Sequence, residues 1–115
     1  MESSEKKLKE KVLAMLRREF NDAWVYKTSD RWKVGIPDVL ICRKGRFFAA
    51  ELKIGNNKAT RIQLYVLEQI KRAGGRVAVC RSVDQVRMYI FSQFWTLEPD
   101  LSLQIAPDQG YCFVG

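Results

Sequence analysis

Residues 39–50 form two short apolar runs on either side of a basic turn, and this pattern constrains the fold more than any other part of the chain. An antiparallel hairpin of this length brings the residue before its first strand close to the residue after its second strand. Those flanking residues are Asp38 on one side and Glu51 and Lys53 on the other. Because residues i and i+2 share a face of a strand, the sequence predicts that two carboxylates and one ammonium converge at one end of a sheet.

Asp38, Glu51 and Lys53 are suited to one kind of chemistry. Two carboxylates with open coordination positions can bind a hard divalent cation such as Mg²⁺, which prefers oxygen ligands. A lysine beside them can orient a water molecule or stabilise developing negative charge. The group is therefore suited to metal-assisted hydrolysis of a phosphodiester. The alternative is a chance hairpin with a surface ion pair, because most Asp and Glu side chains are simply solvated.

Four short motifs give the chain a family resemblance. The motifs are Gly35-x-Pro37-Asp38, Glu51-x-Lys53, Thr60-x-x-Gln63 and Gly74-Gly75. Together they resemble the PD-(D/E)XK nuclease superfamily, in particular a stand-alone, phage-like member of its virus-type replication-repair nuclease (VRR-NUC) family, and next to that family the archaeal Holliday-junction resolvases. The resemblance covers about residues 5–90 and implies an α/β fold with a restriction-endonuclease-like core, in which helices flank a mixed central sheet in the order αβββαβα.

The apolar spacing of the sequence predicts a similar set of elements. The predicted helices span residues 4–20, 60–73 and 82–91, and the predicted strands span residues 23–28, 39–42, 47–50 and 76–80. We therefore expect one α/β domain with a single sheet, which suits a chain of 115 residues. The nuclease core is expected within residues 1–93. Residues 94–115 are expected to pack on the core or at a dimer interface, unless they fray as a terminal segment.

The resemblance implies a role for each residue of the hairpin motif. Asp38 and Glu51 would bind Mg²⁺ or Mn²⁺, and the backbone carbonyl of Leu52 would supply a third ligand. Lys53 would position or polarise the attacking water. Gln63 would hold the water or a phosphate, although an ordinary exposed glutamine of a helix would give the same pattern.

The resemblance further implies that a glutamate of the first helix reaches the metal through a water molecule. Glu5 and Glu10 both compete for this role. They are five residues apart, about 140° around a helix, so they cannot both point into one site. Glu5 is slightly favoured by its place at the start of the helix, and either residue could be only a solvated charge.

Several basic and aromatic side chains are candidates for contact with DNA. They are Lys27, Arg31, Trp32, Lys33, Lys58 and Arg61. Lys27 matches a basic residue that these nucleases carry on the first strand, although an ordinary lysine at a strand end would look the same. Trp32 could stack on an exposed base, or it could belong to the core or to a dimer interface. The last two candidates flank the start of a helix, where the N-terminus already favours phosphate.

The composition fits a partner that carries negative charge. The chain has 20 Lys and Arg against 13 Asp and Glu, a net charge of +7, and all of the basic residues precede residue 88. Such a surface favours a polyanion, although it would also fit a merely soluble surface or an anionic membrane. The absence of histidine excludes a histidine metal site and a histidine general base. Cys42 and Cys80 lie in strand-like runs and are interpreted as small core residues.

The residues and the resemblance lead to one leading hypothesis. It is a metal-dependent, structure-selective endonuclease that acts on branched DNA and resolves four-way (Holliday) junctions as a homodimer. We expect it in the cytoplasm, or in the host cytoplasm if the protein is viral, with no membrane partner and no small-molecule cofactor. The alternatives are a flap-, mismatch- or restriction-type nuclease on the same fold and a non-catalytic basic module that binds nucleic acid.

Overall fold

The computed structural model describes residues 4–28, 34–95, 105–106 and 110–111, with the side chains of residues 4–28 and 34–91. The elements are α1 (Ser4–Glu19), β1 (Trp24–Lys27), β2 (Val39–Arg43), β3 (Arg46–Leu52), α2 (Arg61–Arg72), β4 (Arg76–Cys80), α3 (Val83–Trp95), β5 (Ile105–Ala106) and β6 (Gly110–Tyr111). The predicted α/β order is confirmed. The last helix is longer than predicted, and most of residues 94–115 lie outside the described part of the chain.

The main sheet has four strands in the order β1-β2-β3-β4. Strands β1, β2 and β3 are antiparallel neighbours, while β3 and β4 are parallel and are joined by α2. Lys44 and Gly45 form the turn between β2 and β3 with φ of 51° and 78°. Two positive φ angles are typical of the type I′ turn, whose twist matches that of the strands it joins. The resulting register pairs Val39 with Ala50, so Asp38 and Glu51 come next on the two strands.

Helices α1 and α3 cover one face of the sheet. Leu8, Val12 and Leu16 recur every four residues along α1, which places them on a single helix face, and all three are buried. They pack with Val86 and Ile90 of α3 in one apolar cluster. Burying each of these side chains contributes roughly 1.5–3 kcal/mol. This face therefore supplies most of the apolar core.

Helix α2 covers part of the opposite face, which we call the α2 face. Leu67 of the helix packs there against Ala49 of β3 and against Val77 and Val79 of β4. Cys42 also lies on this face but is exposed, so its interpretation as a core residue was wrong. The period-two alternation of β2 puts Cys42 on the opposite side from buried Ile41. Cys80, by contrast, is buried as predicted.

Gly35 brings the segment before β2 into close contact with α2. Its φ of +90° is one that side chains other than glycine rarely adopt. A Cβ atom at this position would lie 3.1 Å from the carbonyl oxygen of Ile62 and 3.2 Å from Val66. This contact holds the Gly35–Asp38 segment against the first turns of α2. None of the helices within the described residues is long and apolar enough to span a membrane.

Candidate active site

The β2–β3 hairpin brings Asp38 and Glu51 together at its open end. Asp38 Oδ2 accepts a hydrogen bond from the backbone N–H of Leu52 at 2.8 Å, which fixes the carboxylate against β3. Glu51 and Lys53 both lie at the α2 face, and Lys53 Nζ is 3.7 Å from Glu51 Oε2. The structure thus groups the three charged side chains that the sequence places around the hairpin. It shows the Leu52 peptide in contact with Asp38 through its N–H.

Glu51 is a buried carboxyl group with little to stabilise its charge. Only 2% of the residue is exposed, and Oε1 accepts no hydrogen bond from the described part of the chain. Burial, and after it the negative charge of Asp38, raises the pKa of Glu51 to about 8, while nearby Lys53 acts in the opposite direction. Two facing carboxyl groups and an unpartnered oxygen form a donor set that fits a divalent cation.

Asp38 and Glu51 alone do not supply enough ligands for a metal ion. Within the described residues, no group of three or more His, Cys, Asp or Glu side chains lies close enough together to hold a metal ion. A cation at Asp38 and Glu51 would therefore need further oxygens from the backbone, from water or from a phosphate. Mg²⁺ has this requirement ordinarily, because it keeps several waters and is held by one or two carboxylates.

Lys9 is a member of the site that sequence reasoning missed. Its Nζ is 3.3 Å from Asp38 Oδ1, and its side chain is only 22% exposed. Lys9 projects from α1 across the end of the sheet, so the contact depends on how the helix packs. The available signal was its position four residues after Glu5, which puts the two side chains on one face of the helix.

The structure distinguishes the two glutamates of α1. Glu5 Oε2 accepts a hydrogen bond from Asn57 Nδ2 at 3.4 Å, and the charge of Glu5 contributes to the raised pKa of Glu51. Glu10 is exposed. Glu5 is therefore the glutamate of α1 whose charge reaches the hairpin carboxylates.

Gln63 lines a cleft that Asp38 also lines, and it caps α2 as well. The cleft has a volume of about 290 Å³ and is lined by Lys9, Asp38, Thr60 and Gln63 among others. Gln63 Oε1 accepts from Thr60 N–H at 2.8 Å, and Gln63 N–H donates to Thr60 Oγ1 at 3.2 Å. This reciprocal pair is a capping box, which satisfies two backbone donors at the start of the helix. The glutamine predicted for catalysis thus uses its carbonyl oxygen structurally.

Thr28 is a second residue that sequence reasoning missed. Its buried hydroxyl donates to the carbonyl oxygen of Pro37 at 2.6 Å, and its backbone N–H donates to the carbonyl oxygen of Asp38 at 3.0 Å. These bonds continue the β1–β2 pairing past Lys27. Thr28 therefore helps to fix the backbone that carries the Asp38 carboxylate.

The predicted DNA-binding residues divide into two groups. Lys27, Lys58 and Arg61 are exposed, the first at the end of β1 and the other two just before and at the start of α2. Residues 31–33, which contain the other three candidates, lie outside the described residues.

The chain is similar to a nuclease domain of known structure. No protein-family model and no curated protein matches the sequence. A solved structure of a VRR_NUC domain matches with a TM-score of 0.60 and 28% sequence identity, over 72% of this chain and 94% of that one. This likeness, together with the four motifs, supports membership of the VRR-NUC family. The family resemblance read from the motifs is confirmed, and the restriction-endonuclease-like fold and the PD-(D/E)XK nuclease type come with it.

Proposed function

We propose that this VRR-NUC protein is a metal-dependent, structure-selective DNA endonuclease that cuts four-way junctions as a homodimer. The observation that carries the proposal is the pair of facing carboxyl groups, Asp38 and Glu51, with an ammonium beside them and a buried oxygen that no donor among the described residues satisfies. The membership of a nuclease family supports the same assignment.

The chain's own groups would divide the work among them. Asp38 and Glu51 would hold Mg²⁺ or Mn²⁺ together with the carbonyl oxygen of Leu52, and Glu5 would act through a water molecule. The bound ion would stabilise negative charge on the scissile phosphate and lower the pKa of the attacking water. Lys53 would orient that water, since its ammonium lies beside Glu51.

Lys9 and the start of α2 would bind the phosphate. Lys9 neutralises Asp38 in the free protein and is close enough to the cleft to contact an incoming phosphate oxygen instead. Gln63 would contribute through the backbone of the capped helix start, where N–H groups favour an anion. Lys58 and Arg61 would add charge at the same helix end, and Lys27 at the end of β1.

Charge and size support the proposed substrate and assembly. A net charge of +7 favours a nucleic acid, with affinity that falls as salt rises. Contacts to phosphates position a protein on DNA without reading its sequence, so a compact chain can recognise the shape of a junction. A twofold dimer would bring two active sites to two strands. Residues 94–115 would pack on the core or at that interface, and the cytoplasm is the proposed location.

Asp38 also gives some support to a second function. Both of its oxygens are already engaged by the chain itself, Oδ1 by Lys9 and Oδ2 by Leu52. A site satisfied in this way would suit a basic module that binds nucleic acid without cutting it. The buried Glu51 oxygen favours the nuclease, because it has no donor within the described part of the chain, whereas the buried oxygens of a structural carboxylate ordinarily have one.

The experiment compares labelled substrates of matched sequence: a four-way junction, a 5′ flap, a splayed duplex and a linear duplex. Each is incubated with the wild type and with Asp38→Ala in Mg²⁺, Mn²⁺ or EDTA. We expect paired cuts in the junction that need a metal and disappear in Asp38→Ala, with DNA binding retained. Cutting of flaps or linear duplex in preference to junctions would contradict the proposed substrate. Salt-sensitive binding without cutting under any condition would replace the nuclease with the binding module.

A further inference from the structure

The edge strand β1 presents two aromatic side chains to solvent on the same sheet face as the carboxylates. Trp24 is 57% exposed and Tyr26 is 52% exposed. Their rings are stacked, with centroids 5.8 Å apart and an angle of 4° between the ring planes. Large aromatic side chains usually bury most of their surface, so an exposed, parallel pair points to a ligand.

The register places this aromatic pair on the α2 face. Trp24 is opposite Cys42, and Tyr26 is opposite Leu40, which packs with the α2 side of the core. Because Leu40 is two residues from Asp38, Tyr26 lies roughly 7 Å along the strand from the carboxylate, and Trp24 roughly 14 Å. The stack therefore begins beside the cleft and leads away from it, with the Tyr26 ring at the end nearer the carboxylates.

We propose that the Trp24–Tyr26 pair is a stacking platform for an unpaired base of branched DNA, a few nucleotides from the cleaved bond. The inference rests on the proposed nuclease function and adds a binding subsite to it. Successive nucleotides of a DNA strand are about 3.4 Å apart, so the platform lies roughly two to four nucleotides from the site. Stacking on aromatic side chains tolerates any base, which suits an enzyme that recognises shape.

Charge and continuity favour DNA over other occupants of this surface. The register puts Leu40, Cys42 and Phe47 on the face around the pair, and none of them would repel a phosphate. The surface continues into the catalytic cleft, where Lys9 and the start of α2 offer positive charge. In the C-terminal segment, Gly110–Tyr111 lies beside β4, at the opposite edge of the sheet, and pairs with Ile105–Ala106.

The aromatic pair by itself is too small to hold a second copy of the chain. Two half-exposed aromatic side chains offer roughly 100 Å² each. A stable protein interface buries about 800 Å² on each partner. One or two stacked bases, in contrast, need no more contact area than the exposed rings of such a pair provide.

The test uses four-way junctions that carry one unpaired 2-aminopurine, moved along an arm from the branch point. The wild type and Mg²⁺ first locate the cut, and binding is then measured in EDTA. We expect the fluorescence of 2-aminopurine to fall on binding when the probe is a few nucleotides from the cut. Trp24→Ala and Tyr26→Ala should lose this quenching and bind the junction about 10-fold more weakly, with linear duplex binding unchanged. Trp24→Phe and Tyr26→Phe should keep most of the quenching and most of the affinity for the junction.

Tyr65→Ala is the matched control, because Tyr65 is 61% exposed on α2. It should behave like the wild type. Equal quenching and equal affinity in the wild type and the β1 variants would overturn the platform, even if the wild type cuts junctions. A wild type that cuts no DNA would overturn the nuclease, while the quenching pattern would still decide the platform. Loss of a dimer in the β1 variants, with weaker binding to every DNA alike, would assign the surface to a second copy instead.

Discussion

The two faces of the central sheet differ in what they bury. On the face covered by α1 and α3, Val39 and Ile41 of β2 and Leu52 of β3 are completely or almost completely buried in apolar surroundings. On the α2 face, the same hairpin holds the buried Glu51 and the neighbouring β1 exposes Trp24. The face covered by α1 and α3 therefore carries most of the apolar core, while the α2 face has a smaller apolar cluster and also holds a buried carboxyl group and exposed aromatic rings. Substitutions on the two faces should have opposite consequences for folding and for cutting.

Glu51→Gln should have the largest effect on cutting. The substitution removes a charged oxygen from the proposed cation site, and the rate of junction cleavage should fall by roughly three orders of magnitude. The free energy of unfolding of the metal-free protein should not fall, because the amide needs no counter-charge. Single-turnover cleavage and urea unfolding measure the two effects. Glu68→Gln, at an exposed carboxylate of α2, is the control and should change neither the cleavage rate nor the free energy of unfolding. Cleavage by Glu51→Gln at the wild-type rate would contradict the proposed cation site.

Leu16→Ala, on the face covered by α1 and α3, should show the reverse pattern, in which stability falls and cutting does not change. Leu16 is fully buried, so its truncation should lower the free energy of unfolding by about 2–5 kcal/mol. Cutting per folded molecule should stay at the wild-type level. Met88→Ala removes a side chain that is 60% exposed and should change stability by less than about 0.5 kcal/mol. If Leu16→Ala reduced the cutting rate of the folded protein, the two faces could not be treated as separate.

The pH dependence of stability should come from the α2 face. Burial, and then the charge of Asp38, raises the pKa of Glu51 from 4.5 to about 8 in the folded, metal-free protein. Between these values the folded state holds a proton that the unfolded chain has released. The free energy of unfolding should therefore fall as pH rises through this window, by a few kcal/mol at most.

Urea unfolding in EDTA, from about pH 5 to about pH 9, measures this slope. Glu51→Gln should flatten it, and saturating Mn²⁺ should offset it in the wild type, because the cation favours the ionised carboxylate. A wild-type protein whose stability rises across the window would show that Glu51 ionises readily without a metal.

Gly35→Ala should have a smaller effect on both properties. Its Cβ would meet the carbonyl oxygen of Ile62 at 3.1 Å, and the backbone φ of +90° disfavours any side chain. We expect a loss of about 1–2 kcal/mol in stability and a reduced cutting rate, because Asp38 follows on the same segment. Gly55→Ala separates the two causes: Gly55 has a φ of +54° with no atom near its Cβ position, and it should cost less. Equal losses in both variants would mean that the contact with α2 does not matter.

The sequence predicted what depends on short-range geometry. The two-residue turn and the alternation of the strands were enough to bring Asp38 opposite Glu51 and to put Lys53 beside it. Lys9 was not predicted, because its contact with Asp38 depends on how α1 packs across the end of the sheet. Cys42 was misassigned for a related reason: an apolar strand does not show which part of a face a helix will cover.

The sequence pattern around Gln63 fits two roles that do not exclude each other. Thr60-x-x-Gln63 is a capping-box pattern as well as a family motif; the structure shows the capping box, and the role of Gln63 at the site stays a prediction. The choice between Glu5 and Glu10 needed the fold, since both are acidic residues of one helix and only the packing of α1 brings Glu5 towards the hairpin. The exposed pair on β1 had no local pattern of its own, because exposure depends on which strands α2 leaves bare.

The most direct test of the central claim is the rate of junction cleavage as a function of Mg²⁺ concentration, for the wild type, Asp38→Ala and Glu68→Ala. We predict a rate that rises with Mg²⁺ and saturates for the wild type and for Glu68→Ala, and no cleavage by Asp38→Ala at any concentration. Cleavage by Asp38→Ala at the wild-type rate, or cleavage by the wild type in EDTA, would show that the two facing carboxylates are not a metal-dependent nuclease site.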